Sequence, residues 1–512
     1  MDRRSVLTSF GALALAAGAG RLLLSAPSAF AADEGAGTPF AADTVAKQAE
    51  ALAQKAFVRP SLDLPAPFRK LSYDRYLQMR FRRERALWRE DDTEFELQFF
   101  PRGWLFELPV AIAIVDGGHA KPLHMPPDVF SYGTLLKDGE QAPWPGLSGF
   151  RIHGPINRPD AYDEFLVFQG ASYFRGVARG QGYGLSARGL AINTARPGGE
   201  EVPFFKAFWI ERPGPRDHHV IVHALLDSPS TTGAYRFRIS YGASTVCEVE
   251  ATLFPRRDLA MVGLAPLTSM FLFSGPHGRA RQDFRPAVHD SQALAITNGK
   301  GERLWRPLSN PRRLQTSAFV DSNPRGFGLI QRDRRLSSYE DLDARYERRP
   351  SAWVEPQGNW GEGAIELIEI PAQEEIHDNI VVFWRPAKPL PKGRGHTYAY
   401  KLSWTSDIVE AWPGARVRKT HVGAGKTPDT IQFAVDFSGP ALKGLKDLPR
   451  IELSTRPGGI AGAQVRAHPD IGGVRVRFTL EPKGADVCEL RLALMGNDKR
   501  ISEVWLYRWL KS

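Results

Sequence analysis

From about Trp88 to its end, the sequence is a succession of short apolar runs of period two, separated by Gly, Pro, Asn and Asp. Tyr398, Tyr400, Leu402 and Trp404 share one face, as do Ile431, Phe433, Val435 and Phe437. Val474, Val476, Phe478 and Leu480 alternate with Arg475, Arg477 and Thr479. Such alternation fits half-buried strands and no amphipathic helix. Further strands are expected at Phe95–Phe100, Trp104–Val115, Val220–Leu226, Tyr235–Tyr241, Thr245–Phe254 and Ile380–Trp384. Strands do not alternate with helical segments of 10–15 residues, which argues against a parallel α/β architecture. The fold class is all-β, with helices confined to the region before Trp88. One is expected over Thr44–Phe57 behind Asp43 or Thr44, and one over Ser72–Trp88 capped by Ser72.

A chain of 512 residues exceeds the size at which one core keeps growing, so more than one domain is expected. The Pro-rich stretch 387–396 reads as a linker. Residues 38–386 then form a large N-terminal β-sandwich. Residues 397–512, about 115 residues of evenly spaced strands, have the size and rhythm of an immunoglobulin-like sandwich. Gly180-Gln-Gly-Tyr-Gly184 has no helix pattern after it and reads as a turn, not a phosphate loop.

The first 31 residues read as an export signal. Arg3 and Arg4 precede a weakly apolar run from Phe10 to Leu24, and Ala29-Phe-Ala31 supplies a small-x-small cleavage site. The paired arginines indicate the twin-arginine route to a bacterial periplasm. The run is interrupted by Arg21 and short for a membrane span, and no later segment is long enough for one. Removing the signal lowers the formal charge from +10 to about +8, spread along the chain. Together with export, this argues against a nucleic-acid partner. Cys247 and Cys488 each alternate with apolar residues and read as buried single thiols. His219 and His223 share a strand face, but nothing nearby completes a metal set, and no metal or cofactor is expected.

The sequence holds two His-Asp dipeptides, in Val288-His-Asp-Ser291 and Ile376-His-Asp-Asn379. Trp305 follows the first; Trp353 and Trp360 precede the second, and Trp384 follows it. Glycosidic hydrolysis needs one carboxyl group to protonate the leaving oxygen and a second to activate water or attack the sugar. Aromatic rings can stack on sugars while Arg and Asn bind hydroxyls, so Asp290, Asp378 and the four tryptophans are candidates for a glycan cleft. On composition alone, aspartates that cap turns are the better explanation.

Several longer motifs carry a resemblance. Gly180-Gln-Gly-Tyr-Gly-Leu-Ser-Ala-Arg-Gly-Leu190, Arg285-Pro-Ala-Val-His-Asp-Ser291, Tyr339-Glu-Asp-Leu-Asp-Ala-Arg-Tyr-Glu-Arg-Arg-Pro350, Gly358-Asn-Trp-Gly361 and Glu375-Ile-His-Asp-Asn-Ile-Val381 resemble the periplasmic glucan biosynthesis proteins G and D. The similarity runs from about Phe40 to the C-terminus, and the twin-arginine leader looks like the D branch. The resemblance implies a galactose-mutarotase-like N-terminal sandwich and glycoside hydrolase activity on β-1,2-glucan. Asp378 would be general acid and Asp290 general base, with Tyr346 and Arg349 lining the cleft. The alternatives are a retaining transglycosylase that cyclises the same glucan, and a non-catalytic glucan-binding partner of the membrane glucosyltransferase.

Overall fold

A computed structural model describes residues 37–137, 140–275, 283–407 and 412–511. The export signal lies outside the described residues. Nearly all regular structure is β, as the alternation predicts. A ten-stranded and a sixteen-stranded sheet dominate. They stack through aromatic side chains from facing strands. Phe150, Phe168 and Phe174 of the ten-stranded sheet meet Phe208, Phe237 and Trp404 of the larger one, with ring centroids 5.1–5.8 Å apart. Strand alternation puts these rings on the inner faces, and their burial supplies the main apolar driving force.

The middle of the ten-stranded sheet runs Ile380–Pro386, Val262–Ser269, Ser186–Arg188, Tyr173–Gly176, Ala161–Gln169 and Leu147–Arg158, all antiparallel neighbours. Its inner face is apolar. Its outer face is polar: Tyr173 and Arg175 flank inward Phe174, and Ser186 and Arg188 flank inward Ala187.

Four expectations change, the first being the strand expected over Trp104–Val115, which is confined to Ala111–Asp116. The helix Thr44–Ala53 forms and packs Val45 and Ala49 against the outside of the large sheet near Trp209. The second expected helix shrinks to Tyr73–Tyr76, its cap at Ser72 retained, because Arg80–Phe81 pairs with Phe130–Ser131 instead. The arginines that suggested a helical face reach other segments: Arg82 and Arg85 bind Asp128, and Arg83 binds the Tyr162 carbonyl. One helical turn cannot compete with those tertiary contacts.

The strand His396–Thr405 belongs to the large sheet, between Thr245–Pro255 and Ser351–Gln357. Residues 387–396 are therefore a loop within the N-terminal sandwich, tied down by the Leu259–Leu390 bridge. The inward Tyr398 hydrogen-bonds Tyr235 across the core at 2.9 Å. Alternation predicted the face of this strand but could not name its partners.

The C-terminal sandwich packs the four-stranded sheet Arg416–Ala424, Ile431–Ser438, Gly473–Glu481 and Gly459–His468 over Val504–Leu510, Val487–Gly496 and Arg450–Arg456. Phe433 lies 5.9 Å from Trp505 and 5.2 Å from Tyr507. The latter three strands continue the large sheet through parallel pairing of Leu304 and Trp305 with Val504 and Trp505. Arg332 locks the two units: it binds the Glu503 carboxylate twice, at 2.8 and 2.9 Å, donates to the Val417 carbonyl and stacks on Trp305. Cys247 and Cys488 are free and buried, as expected.

Candidate active site

The two His-Asp segments are far apart in sequence and meet around one short strand. Val288–His289 pairs with Phe271–Phe273, His289 opposite Phe271, and the Asp290 N–H donates to the Met270 carbonyl at 2.9 Å. From the other side, Asn379 accepts from the Phe271 N–H at 2.8 Å and donates to the Phe271 and Ile370 carbonyls at 3.0 Å. His289 stacks on Phe271 with the rings 7° from parallel. The residues flanking each aspartate thus hold the same short strand, which fixes Asp290 and Asp378 relative to one another.

His289 is a positioning group. Gln331 donates to the carbonyls of His289 and Tyr346, so its oxygen remains to accept from His289 Nδ1 at 3.0 Å. Burial lowers the imidazole to about 4, leaving it neutral at physiological pH.

Both Asp378 carboxylate oxygens are buried and bond no protein group among the described residues. Burial pushes this carboxyl up to about 7; Arg175 opposes the rise, the Asp290 charge adds to it and Arg188 opposes it. Asp290 is also raised by burial, against which Arg349 and Arg175 stabilise its charged form. Arg349 Nε stands 3.6 Å from Asp290 Oδ1 and donates to the Ala344 carbonyl, while Nη1 donates to the Tyr183 carbonyl. Two carboxyls in one electrostatic environment therefore differ in degree: Arg349 stands beside Asp290, whose Oδ1 has no hydrogen-bond partner, whereas neither Asp378 oxygen has one and its cations, Arg175 and Arg188, act through space. That is the asymmetry acid–base chemistry requires.

The floor comes from the outer face of the ten-stranded sheet. Arg175 bonds Ser186 at 2.9 Å, and Arg188 bonds Thr268 at 2.9 Å and Glu200 at 2.7 Å while its guanidinium lies over Tyr173. Tyr173, Arg175 and Tyr183 continue into a cavity of about 350 Å³ roofed by Tyr76, Met79 and Phe81. Tyr346 is buried under Arg349 and donates to Glu375 at 3.2 Å; Arg285 in turn binds Glu375, Asp341 and Asp283.

The tryptophans are corrected. Trp384 is fully buried between the main sheets, where two-sided packing leaves no face for a ligand. Trp360 packs on Tyr398 and Tyr400 and donates to the Ala399 carbonyl. Trp305 and Trp353 belong to the core beneath the C-terminal sandwich. Trp305 borders a separate cavity of about 390 Å³ between the two units. Sequence reasoning missed Tyr173, Arg175 and Arg188. Their signal was period-two alternation with arginine on the second face, which singles out a buried polar surface only once both faces are known to be covered. Among the described residues no cluster of three or more His, Cys, Asp or Glu could hold a metal.

Fold and site together define a two-sheet β-sandwich protein with an unequal pair of aspartates, both coupled to Arg175, which lines a cavity with Tyr173 and Tyr183. The profile of the family described as "Periplasmic glucan biosynthesis protein, MdoG" matches residues 40–509. The chain is 47% identical over 510 residues to a glucans biosynthesis protein G of Rhodopseudomonas palustris, covering 99% of this chain and all of that protein. A protein of the same name from Bradyrhizobium diazoefficiens is 46% identical over 516 residues, covering 99% of this chain and all of that protein. One from Vibrio cholerae is 47% identical over 473 residues, covering 91% of this chain and 86% of that protein. This chain belongs to the periplasmic glucan biosynthesis protein family. These relatives carry the G name, so the D-branch expectation drawn from the leader gains no support from them. Among the described residues no helix is long and apolar enough to cross a membrane.

Proposed function

We propose that this chain is an endo-acting β-1,2-glucanase that trims the glucan backbone in the periplasm, with inversion at the anomeric carbon. The observation that carries this reading is the inequality of Asp378 and Asp290. With its carboxyl raised to about 7, Asp378 keeps its proton in a large share of molecules near neutral pH and gives it to the glycosidic oxygen as the C1–O bond breaks. Asp290, beside the Arg349 cation, takes a proton from water, directly or through a relay, as that water attacks C1 from the opposite face. The leaving chain departs as an alcohol and the new reducing end carries the water oxygen. Tyr173, Tyr183, Arg175 and Arg188 offer rings and hydroxyl-binding donors to the glucan. The β-1,2 linkage, supply of chains by the membrane glucosyltransferase and export by the twin-arginine route rest on the sequence resemblance.

The test is incubation of purified protein with linear β-1,2-glucan, following products and anomeric configuration by NMR. Shorter linear chains released as the α-anomer are expected. Cyclic or rearranged products would favour the transglycosylase. Absence of turnover, with Asp378→Asn retaining function in cells, would favour a non-catalytic binder.

A further inference from the structure

The four-stranded sheet of the C-terminal sandwich has an unusually cationic outer face. Its inner face is Val417, Phe433, Val435, Phe437, Val476 and Phe478. Arg466 and Arg475 are direct cross-strand partners, and Arg477 faces Gln464 two residues along. Like charges directly opposite one another in a sheet are destabilising. The one central acid, Asp436, is used by Arg475 at 2.6 and 2.8 Å and by His421 at 3.5 Å. Among the described residues no carboxylate forms an ion pair with Lys419, Arg466 or Arg477, and all three side chains are exposed, whereas Arg418 feels the Glu503 and Asp407 charges at the edge of the sheet.

Two further features adjoin this face. The pairing register slips between Val417 and Lys419, leaving Arg418 as the extra residue of a bulge, a device that re-aims a side chain. Arg418 donates to Ser438 at 2.6 Å, at the strand end from which residues 439–448 depart. That segment, Gly-Pro-Ala-Leu-Lys-Gly-Leu-Lys-Asp-Leu, exposes Leu445 at 39% and Leu448 at 51% beside Lys443 and Lys446.

We propose that this face and its leucine loop form a docking surface for a membrane bearing anionic phospholipid headgroups. The cations lie on three of the four strands of a plane roughly 14 Å across, and Arg466, Arg475 and Arg477 line one open hollow in it with His421 and His468, a seat for a headgroup phosphate. The exposed leucines supply apolar insertion, which a soluble polyanion would not use. The face lies on the C-terminal sandwich, and its edge strand Arg416–Ala424 also borders the cavity between the two units. The proposal does not depend on the glucanase reading.

The test is flotation of the purified exported protein with phosphatidylglycerol/phosphatidylethanolamine vesicles, with pure phosphatidylcholine vesicles as reference. Binding only to the anionic vesicles, weakening with salt, is expected. A surface cation contributes about fivefold, so R466Q/R477Q should lower the partition about thirtyfold. L445S/L448S should lower it separately at unchanged melting temperature. Equal binding to both vesicle types, or parental binding by either double variant, overturns the proposal. So does preferential binding of soluble polyglutamate over vesicles, which would make the face a polyanion site.

Discussion

Asn379 satisfies both backbone polar groups of Phe271, accepting from its N–H at 2.8 Å and donating to its carbonyl at 3.0 Å. Because Phe271 also pairs with His289, one amide side chain sets the position of Asp378 against that of Asp290. Asn379→Leu would leave buried backbone groups of Phe271 and Ile370 unsatisfied. It should cost about 3 kcal/mol of stability in urea melts, and should lower kcat more than it raises KM.

Asp378 should govern the alkaline limb of activity. Its carboxyl must be protonated to act, so kcat should fall as pH rises through about 7. Asp378→Asn should lose roughly 10²–10⁴-fold in kcat while retaining glucan affinity, measured by calorimetry with linear β-1,2-glucan.

The same shift has a stability consequence of definite sign. The folded carboxyl titrates above its unfolded value of about 3.9, so between about pH 4 and 7 the native state holds a proton the unfolded chain has lost. Stability conferred by this group is present at low pH and is lost as pH rises to about 7. Asp378→Asn removes that penalty and should melt higher than the parent at pH 8, by roughly a few kcal/mol at most, with the difference vanishing near pH 4.

Arg349 favours the charged form of Asp290. Arg349→Met should raise the Asp290 pKa and move the acid limb of kcat/KM upward by about one pH unit or more. Arg349→Lys keeps the charge but loses the planar fork that also bonds Tyr183 and Ala344, so it should restore the limb without restoring full kcat.

The tryptophan correction is also testable. Trp384→Ala should cost about 3–5 kcal/mol in thermal or urea melts. Trp384→Phe should cost less and leave KM for β-1,2-glucan unchanged, as suits a ring buried between two sheets. A large rise in KM at unchanged stability would return Trp384 to the cleft.

The sequence by itself determined the all-β class, the inward faces of the strands, the buried free thiols and the two candidate aspartates. These follow from local periodicity and residue chemistry, which are readable within a few neighbours. Only the tertiary structure decided what each face packs against. Tyr398 and Trp404 share a face on paper, yet their strand completes the large sheet and not the C-terminal sandwich. Arg175 reads as ordinary alternation until Tyr76, Met79 and Phe81 are found lining the same cavity. The difference between Asp290 and Asp378 is likewise unreadable from two similar tetrapeptides. It arises from burial and from cations brought in by distant strands, and the field at a carboxyl group depends on distance in space, not along the chain.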